Sequence, residues 1–309
     1  MISTKYTFLL PAYKVTFFEE ALFSIKNQSF KNFKVIVSDD CSPENLRSVF
    51  DRVVGDDSRF VYRHNEVNIG SKSLVSHWNL LMDMCDTEYL IMASDDDIYY
   101  PDFLQEIDNL VRKYPKVDLL RARVEFIDEL GNVKKSDGIF AEYETPKEYL
   151  FSHFSNKNLK CIANHVFRTL RLREKGGFYE MPLAWYSDQI TAILMSGNGC
   201  CNTSNILFQF RLSNINISGA KPTSKVASLK SVATMQADIW FQKYLKMNSI
   251  IDFKYDRWGK QIYYWLMDAD FRFFLFLFPK IIANGLWDRK WMTAIIRHQI
   301  KMLVTFQKQ

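Results

Sequence analysis

The chain has 309 residues, 48% of them hydrophobic and 24% charged, which suits one large folded domain with a substantial appendage. The net charge of +5 is uneven, because residues 254–309 carry ten Lys and Arg against four Asp and leave the rest nearly neutral. That placement, with no accompanying motif, argues against nucleic-acid binding and points to an anionic surface as partner of the tail.

Met1–Lys5 does not read as a signal peptide, because the apolar run that follows is short and broken by Pro11. Tyr6–Leu10 is predicted as a buried strand, Phe17–Asn27 as a helix with a stripe at Phe18, Ala21, Leu22 and Ile25, and Phe33–Val37 as a second strand stopped at Asp39-Asp40. Ser42-Pro43-Glu44 has the order of a helix cap followed by Pro at the first helical position. Arg59–Arg63 reads as a strand, Ser71–Cys85 as a helix and Tyr89–Ala93 as a strand. Strands and helices alternating at this spacing predict an α/β fold with a mainly parallel, doubly covered sheet. Right-handed crossovers place the strands' carboxyl ends on one edge, where ligands of such sheets bind. Pro11-Ala12-Tyr13, Asp39-Asp40 and Asp95-Asp96-Asp97 all fall on that edge.

Beyond residue 115 the alternation weakens. Leu119–Phe126 reads as a strand, Asp128–Asn132 as a hairpin turn and Lys175-Gly176-Gly177-Phe178 as a flexible entry to the next segment. From about residue 225 the pattern is helical, so the expected division is a domain over 1–225 and a helical, aromatic and basic region over 226–309. Cys41, Cys85, Cys161, Cys200 and Cys201 make neither an even disulfide set nor paired CxxC knuckles, which predicts reduced thiols in the cytoplasm.

Three successive aspartates after an apolar strand repel one another unless a cation neutralises them. A hard divalent ion with carboxylate and phosphate oxygens in its shell would do so, which suits Mn²⁺ or Mg²⁺. The alternative is an acidic turn capping the helix that begins near Pro101. A carboxylate of Asp39-Asp40 can accept hydrogen bonds from a nucleobase imide or a ribose hydroxyl, or close a turn.

Pro11-Ala12-Tyr13, Ala21–Phe30, Val37–Ser42, Asn68-Ile69-Gly70, Asn79 and Tyr89–Asp97 follow one another in an order that resembles family-2 glycosyltransferases, inverting enzymes of the GT-A fold. The resemblance covers roughly residues 5–220. It implies that Pro11, Ala12 and Tyr13 border the nucleobase and that Asp40 binds it, commonly uracil. Asp95 would lie near ribose or diphosphate. Asp96 occupies the metal-ligating position of an Asp-x-Asp signature whose first position is Ser94 here, with Asp97 as a further ligand. Asp188, after Trp185-Tyr186-Ser187, falls where the catalytic base is expected, and Glu180 is the fallback. Arg211 and the Ser213–Ser218 loop are placed as a lid over the diphosphate.

The expected reaction is transfer of a sugar from a nucleotide-diphosphate donor, with UDP favoured, to a hydroxyl of a glycan or lipid-linked acceptor in bacterial surface polysaccharide synthesis. A non-catalytic sugar-nucleotide-binding protein and a sugar-1-phosphate nucleotidyltransferase are the competing functions. The latter wants a Gly-rich phosphate loop that Pro11-Ala12-Tyr13-Lys14 does not supply. Phe271–Lys280, with Trp287, Arg289, Lys290, Trp291, Ile295, Ile296 and Arg297, is too short to span a bilayer but suits helices lying on an anionic membrane surface. Packing onto the catalytic domain or a second subunit is the other account of that region. Oligomeric state is not legible.

Overall fold

In the computed structural model of the chain, the residues described are 4–155, 157–250, 259–269, 271–285 and 292–298. They divide into two compact units, one of residues 1–180 and 187–213 and one of residues 181–186 and 214–309.

The first unit is built on a ten-stranded sheet of order β3-β2-β1-β4-β9-β6-β10-β5, with β7 paired to β6 and β8 to β10. Strands β1 (Tyr6–Ala12), β2 (Phe33–Asp39), β3 (Phe60–His64) and β4 (Tyr89–Met92) are parallel neighbours. β6 (Leu119–Ile127) and β10 (Cys200–Arg211) are parallel to each other, and β9 (His165–Arg168) runs antiparallel between β4 and β6. Two-residue β5 (Ile98–Tyr99) and β8 (Tyr143–Glu144) and the exposed β7 (Val133–Ser136) are antiparallel additions. Near-continuous burial along β1 and β4 is what a strand covered on both faces requires.

Helices α1 (Phe18–Lys26), α2 (Leu46–Val54) and α4 (Phe103–Lys113) cover one face, their apolar stripes meeting Phe8, Val35, Ile91 and Leu120. On the other side, Trp78 of α3 (Leu74–Asp83) meets Phe178, which in turn meets Phe167 of β9. Three short helices complete the unit: α5 (Pro146–His153), closed by a Thr145–Glu148 capping box, α6 (Thr169–Glu174) and α7 (Ser187–Met195).

Two local expectations change. Ser42-Pro43-Glu44 does not start a helix. Asn45 caps α2 by accepting the Ser48 N–H, while Ser42 Oγ donates to the Tyr13 carbonyl and Glu44 accepts the Val15 N–H. Those bonds tie the turn to the end of β1. Gly176-Gly177 is a pinned turn rather than a flexible entry. Both residues are left-handed at the C-terminus of α6, and a Cβ on Gly177 would stand 2.5 Å from Asn79 Oδ1. Asn79 accepts the Phe178 N–H and donates to its carbonyl.

The second unit contains α8 (Ser224–Met247), α9 (Gly259–Asp268), α10 (Phe271–Ala283) and a helical segment at 292–298. Met235, Ile262, Leu266, Leu277, Ile281, Met292 and Ile295 form its core. Buried Lys230 donates to the Ile217 carbonyl and lies 4.1 Å and 4.5 Å from the ring centres of Trp185 and Trp265. Leu183, Ala184 and Tyr186 all adopt positive φ, a strained run immediately before α7. Leu275, Phe276, Ile282 and Ile296 are exposed. Trp287, Arg289, Lys290 and Trp291 lie outside the described residues. No helix among the described residues is long and apolar enough to cross a membrane, and all five cysteines are free.

Candidate active site

The carboxyl ends of β1, β2 and β4 bring three polar segments together. After β1, the backbone N–H groups of Tyr13 and Lys14 both donate to Asp95 Oδ2 at 2.8 Å, clamping the β4 end to the β1 end. The Lys14 ammonium stands 3.8 Å from Asp95 Oδ1 and 3.6 Å from Asp96 Oδ2. Burial, opposed by Lys14, raises the Asp95 carboxyl above the ordinary range. Asp97 is raised well above it by burial and by Asp96.

Asp95 and Asp96 thus both face the Lys14 ammonium, and their oxygen donors are of the kind a hard divalent ion takes. Asp97 is different. Its Oδ1 accepts the Arg211 N–H at 2.9 Å and its Oδ2 accepts Ser94 Oγ, so both oxygens are engaged inside the fold. Each Asp97 oxygen keeps a further lone pair, so these bonds tie Asp97 into the fold without deciding its expected role as a ligand, and Asp96 Oδ1 likewise accepts Ser94 Oγ at 3.0 Å. None of the three caps α4, whose cap residue Asp102 makes no side-chain cap bond either.

Arg211 is also unlike its expectation as a lid. It is 2% exposed and donates from Nε to the Asp96 carbonyl, from Nη1 to the Glu129 carbonyl and from Nη2 to Glu20 at 2.6 Å, with its guanidinium 4.2 Å from the Phe17 ring centre. It is a buried strut beneath the acidic loop.

At the β2 end, buried Asp40 accepts from Asn65 Nδ2 (2.9 Å), the Ile69 N–H (2.9 Å) and the Gly70 N–H (2.7 Å), and His77 Nδ1 lies 3.5 Å away. A Cβ at Gly70 would stand 2.9 Å from Asp40 Oδ2, so the loop approaches closely because position 70 has no side chain. Asp39 accepts from Tyr62 Oη and the Ser42 N–H, with His64 Nδ1 at 3.0 Å. Cys41 takes φ 56° to make that turn. Pro11 and Ala12 belong to β1, and Tyr13 is 41% exposed at its end.

Asp188 occupies the first turn of α7 and is partly exposed. Burial raises its carboxyl to about 6, against hydrogen bonds from the backbone N–H groups of Gln189 and Asp188 and the attraction of Lys160. Burial raises the Cys161 thiol, and the carboxylates of Asp97 and Asp188 both push it further, so Cys161 lies within electrostatic reach of each. Glu180 is exposed and accepts from Ser73 Oγ, the cap of α3.

The sequence reading missed the contributions of Lys14, Asn65 and His77. A lysine two residues after a strand ending Pro-Ala was the one available signal, since a cation is wanted beside the acidic run.

Residues 7–176, more than half of the chain, match the family described as glycosyl transferase family 2. An uncharacterised glycosyltransferase of Methanocaldococcus jannaschii is 25% identical over 162 residues, 52% of this chain and 55% of that protein. The GalNAc(5)-diNAcBac-PP-undecaprenol beta-1,3-glucosyltransferase of Campylobacter jejuni is 31% identical over 164 residues, 51% of this chain and 50% of that protein. The chain thus matches these relatives over about half their length. Among solved structures, S. aureus TarS 1–349 in complex with UDP-GlcNAc aligns with a TM-score of 0.60 at 15% identity, covering 98% of this chain and 92% of that one. The mannosyltransferase PcManGT of Pyrobaculum calidifontis, in complex with GDP-Man and Mn²⁺, aligns with a TM-score of 0.52 at 16% identity, covering 97% and 86%. The fold is that of the GT-A glycosyltransferases, and the chain belongs to glycosyl transferase family 2.

Proposed function

We propose that the chain is an inverting glycosyltransferase that moves a sugar from a nucleoside diphosphate donor to an acceptor hydroxyl. The observation that carries this reading is the convergence of Asp95 and Asp96 on Lys14 at the carboxyl ends of β1 and β4. Two buried carboxylates at this strand edge supply oxygen donors for a divalent cation, which would share them with Lys14 and carry the donor's diphosphate. The solved GT-A relative with Mn²⁺ supports the same choice of ion.

In this reading Asp96 and Asp95 hold Mn²⁺ or Mg²⁺, and Asp97 positions them from within through Ser94 and Arg211. The ion supplies Lewis-acid stabilisation of the departing diphosphate. Tyr13, Pro11 and Ala12 line the nucleobase side. Asp40 contributes by holding the Asn65–Gly70 loop there. Asp188 takes the proton of the acceptor hydroxyl as it attacks, and a carboxyl near 6 is ionised at neutral pH yet still basic enough to receive that proton. UDP is the favoured nucleotide, in line with the TarS complexes.

A lipid-linked glycan is the proposed acceptor, in line with the name of the Campylobacter jejuni relative. It fits the exposed Leu275, Phe276 and Ile282 of α10 with Lys280 beside Phe276, a combination that suits an anionic membrane surface at the inner face of the cell membrane.

The test is release of nucleotide from UDP-sugars and GDP-mannose in the presence of Mn²⁺. Wild type is expected to turn over at least one donor, and Asp188→Asn to keep nucleotide affinity while losing turnover at least 100-fold, the range of general-base catalysis. Binding without turnover in wild type would instead establish a non-catalytic sugar-nucleotide-binding protein.

A further inference from the structure

Lys14 meets the acidic loop twice. Its backbone N–H donates to Asp95 Oδ2 at 2.8 Å, and its side chain folds back to bring the ammonium 3.8 Å from Asp95 Oδ1 and 3.6 Å from Asp96 Oδ2. A direct ammonium–carboxylate hydrogen bond spans about 2.7–2.9 Å, so these two contacts are attraction between charges without a fixed bond geometry. The Lys14 side chain is 28% exposed and each aspartate side chain 9%, so the lysine has a way out to solvent that the carboxylates lack.

The backbone that carries Lys14 is pinned on both sides. The Tyr13 N–H donates to Asp95, the Tyr13 carbonyl accepts Ser42 Oγ, and the Val15 N–H donates to Glu44. The acidic loop is held as firmly, since Asp96 Oδ1 accepts Ser94 Oγ and the Asp96 carbonyl accepts Arg211 Nε. Neither segment can move away from the other. The part free to change place is the tip of Lys14, a compact charge on a flexible four-carbon stem.

Lys14 and a divalent ion held by Asp95 and Asp96 would share the same oxygens. Two cations so close repel strongly in a site this buried, where little water screens them. Lys14 therefore opposes the ion as long as it has only the aspartates to pair with. A nucleoside diphosphate reverses the balance. Its phosphate oxygens give the ammonium another anionic partner within reach of the same stem, and lysine binds phosphate as a point charge. A diphosphate already present draws Lys14 off the carboxylates, and an ion already present releases Lys14 to the diphosphate. Each ligand then raises the affinity of the other by one and the same factor.

We propose that Lys14 is an internal counter-ion that couples the two ligands, occupying Asp95 and Asp96 until the divalent ion and the diphosphate arrive together. The proposal rests on the nucleotide-sugar reading above and adds the residue that makes loading of the ion conditional on the donor. A lysine that merely braced the aspartates would behave in the opposite sense, because its removal would loosen the carboxylates and weaken the ion.

The test measures the Mn²⁺ affinity of the full-length protein from the electron paramagnetic resonance of the free ion, in MnCl₂ alone and with saturating UDP or GDP. Lys14→Met keeps the backbone bond to Asp95 and the bulk of the stem while deleting the charge, and Lys14→Gln serves where that variant does not fold. MnCl₂ alone should bind the uncharged variant at least tenfold more tightly than wild type. Affinity in the presence of nucleotide should stay near the wild-type value, so the enhancement by nucleotide shrinks by the same tenfold, an ordinary size for coupling between two ligands. Lys14→Arg retains the charge and should bind MnCl₂ alone as weakly as wild type. An unchanged or weakened affinity for MnCl₂ alone in the uncharged variant would overturn the proposal, the weakened case making Lys14 a brace. Wild type that binds Mn²⁺ neither alone nor with either nucleotide would instead overturn the diphosphate-site reading, and this proposal with it.

Discussion

Replacing Asp40 by Asn changes one oxygen into an NH₂ group and removes a buried charge. In the folded chain that carboxylate accepts the backbone N–H groups of Ile69 and Gly70 and the Asn65 amide. Asparagine can present only one oxygen, so its NH₂ must face a donor at one of these positions. One buried N–H then loses its acceptor, and the remaining bonds lose their charge assistance. Hydrogen bonds to charged groups contribute about 1.5–3 kcal/mol and an orphaned buried donor costs a similar amount, so about 3 kcal/mol is expected in total. His77 is not left as a stranded cation, because burial lowers its pKa and keeps it neutral. For a domain near 200 residues the loss corresponds to a fall of roughly 6–12 °C in melting temperature. Thermal melts and amide exchange read this together. Asp40→Asn should melt lower, and the Ile69 and Gly70 amides should lose protection before the sheet does. A variant that melts like wild type while losing nucleotide affinity would refute the reasoning, because the carboxylate would then be available to the base rather than committed to the loop.

Other expectations follow from the same geometry. The acid limb of activity should fall at about pH 6, because Asp188 must be ionised to accept a proton and burial raises its carboxyl to about 6; a pH profile flat from 5 to 8 would remove Asp188 from that role. That raised carboxyl keeps its proton to higher pH in the folded than in the unfolded chain, so its contribution to stability should decline between about pH 4 and 6 and vanish in Asp188→Asn. Arg211→Met should cost about 3 kcal/mol in chemical denaturation by orphaning the Asp96 and Glu129 carbonyls, and Arg211→Lys should not restore it, because an ammonium lacks the guanidinium fork. Joint substitution of exposed Leu275, Phe276 and Ile282 by Glu should abolish flotation with anionic vesicles while leaving the melt unchanged, and equal flotation would exclude a membrane-facing α10.

The strands were legible because buried parallel strands are apolar runs, and Tyr6–Leu10, Phe33–Val37 and Tyr89–Ala93 each have one. Strand β9 was not, since His165 and Arg168 interrupt so short a segment. The grouping of Asp40, Asp95 and Asp96 at one sheet edge also followed from the alternation of elements. Their individual roles did not. Asp40 meets backbone N–H groups 29 and 30 residues away, and Asp97 meets that of Arg211, 114 residues away. Backbone donors have no signature in side-chain sequence. The same applies to Met181–Tyr186, which joins the C-terminal unit rather than the sheet and reaches α7 through left-handed Leu183, Ala184 and Tyr186. No glycine marks those positions.

Calorimetric titration of UDP and UDP-sugars into wild type and Asp96→Ala, each with Mn²⁺ and with EDTA, addresses the acidic cluster most directly. Binding should require the divalent ion in wild type and should weaken by at least tenfold in Asp96→Ala, with no residual dependence on Mn²⁺. Equal affinity in EDTA, or a Mn²⁺ effect that survives Asp96→Ala, would contradict a diphosphate site built on Asp95 and Asp96.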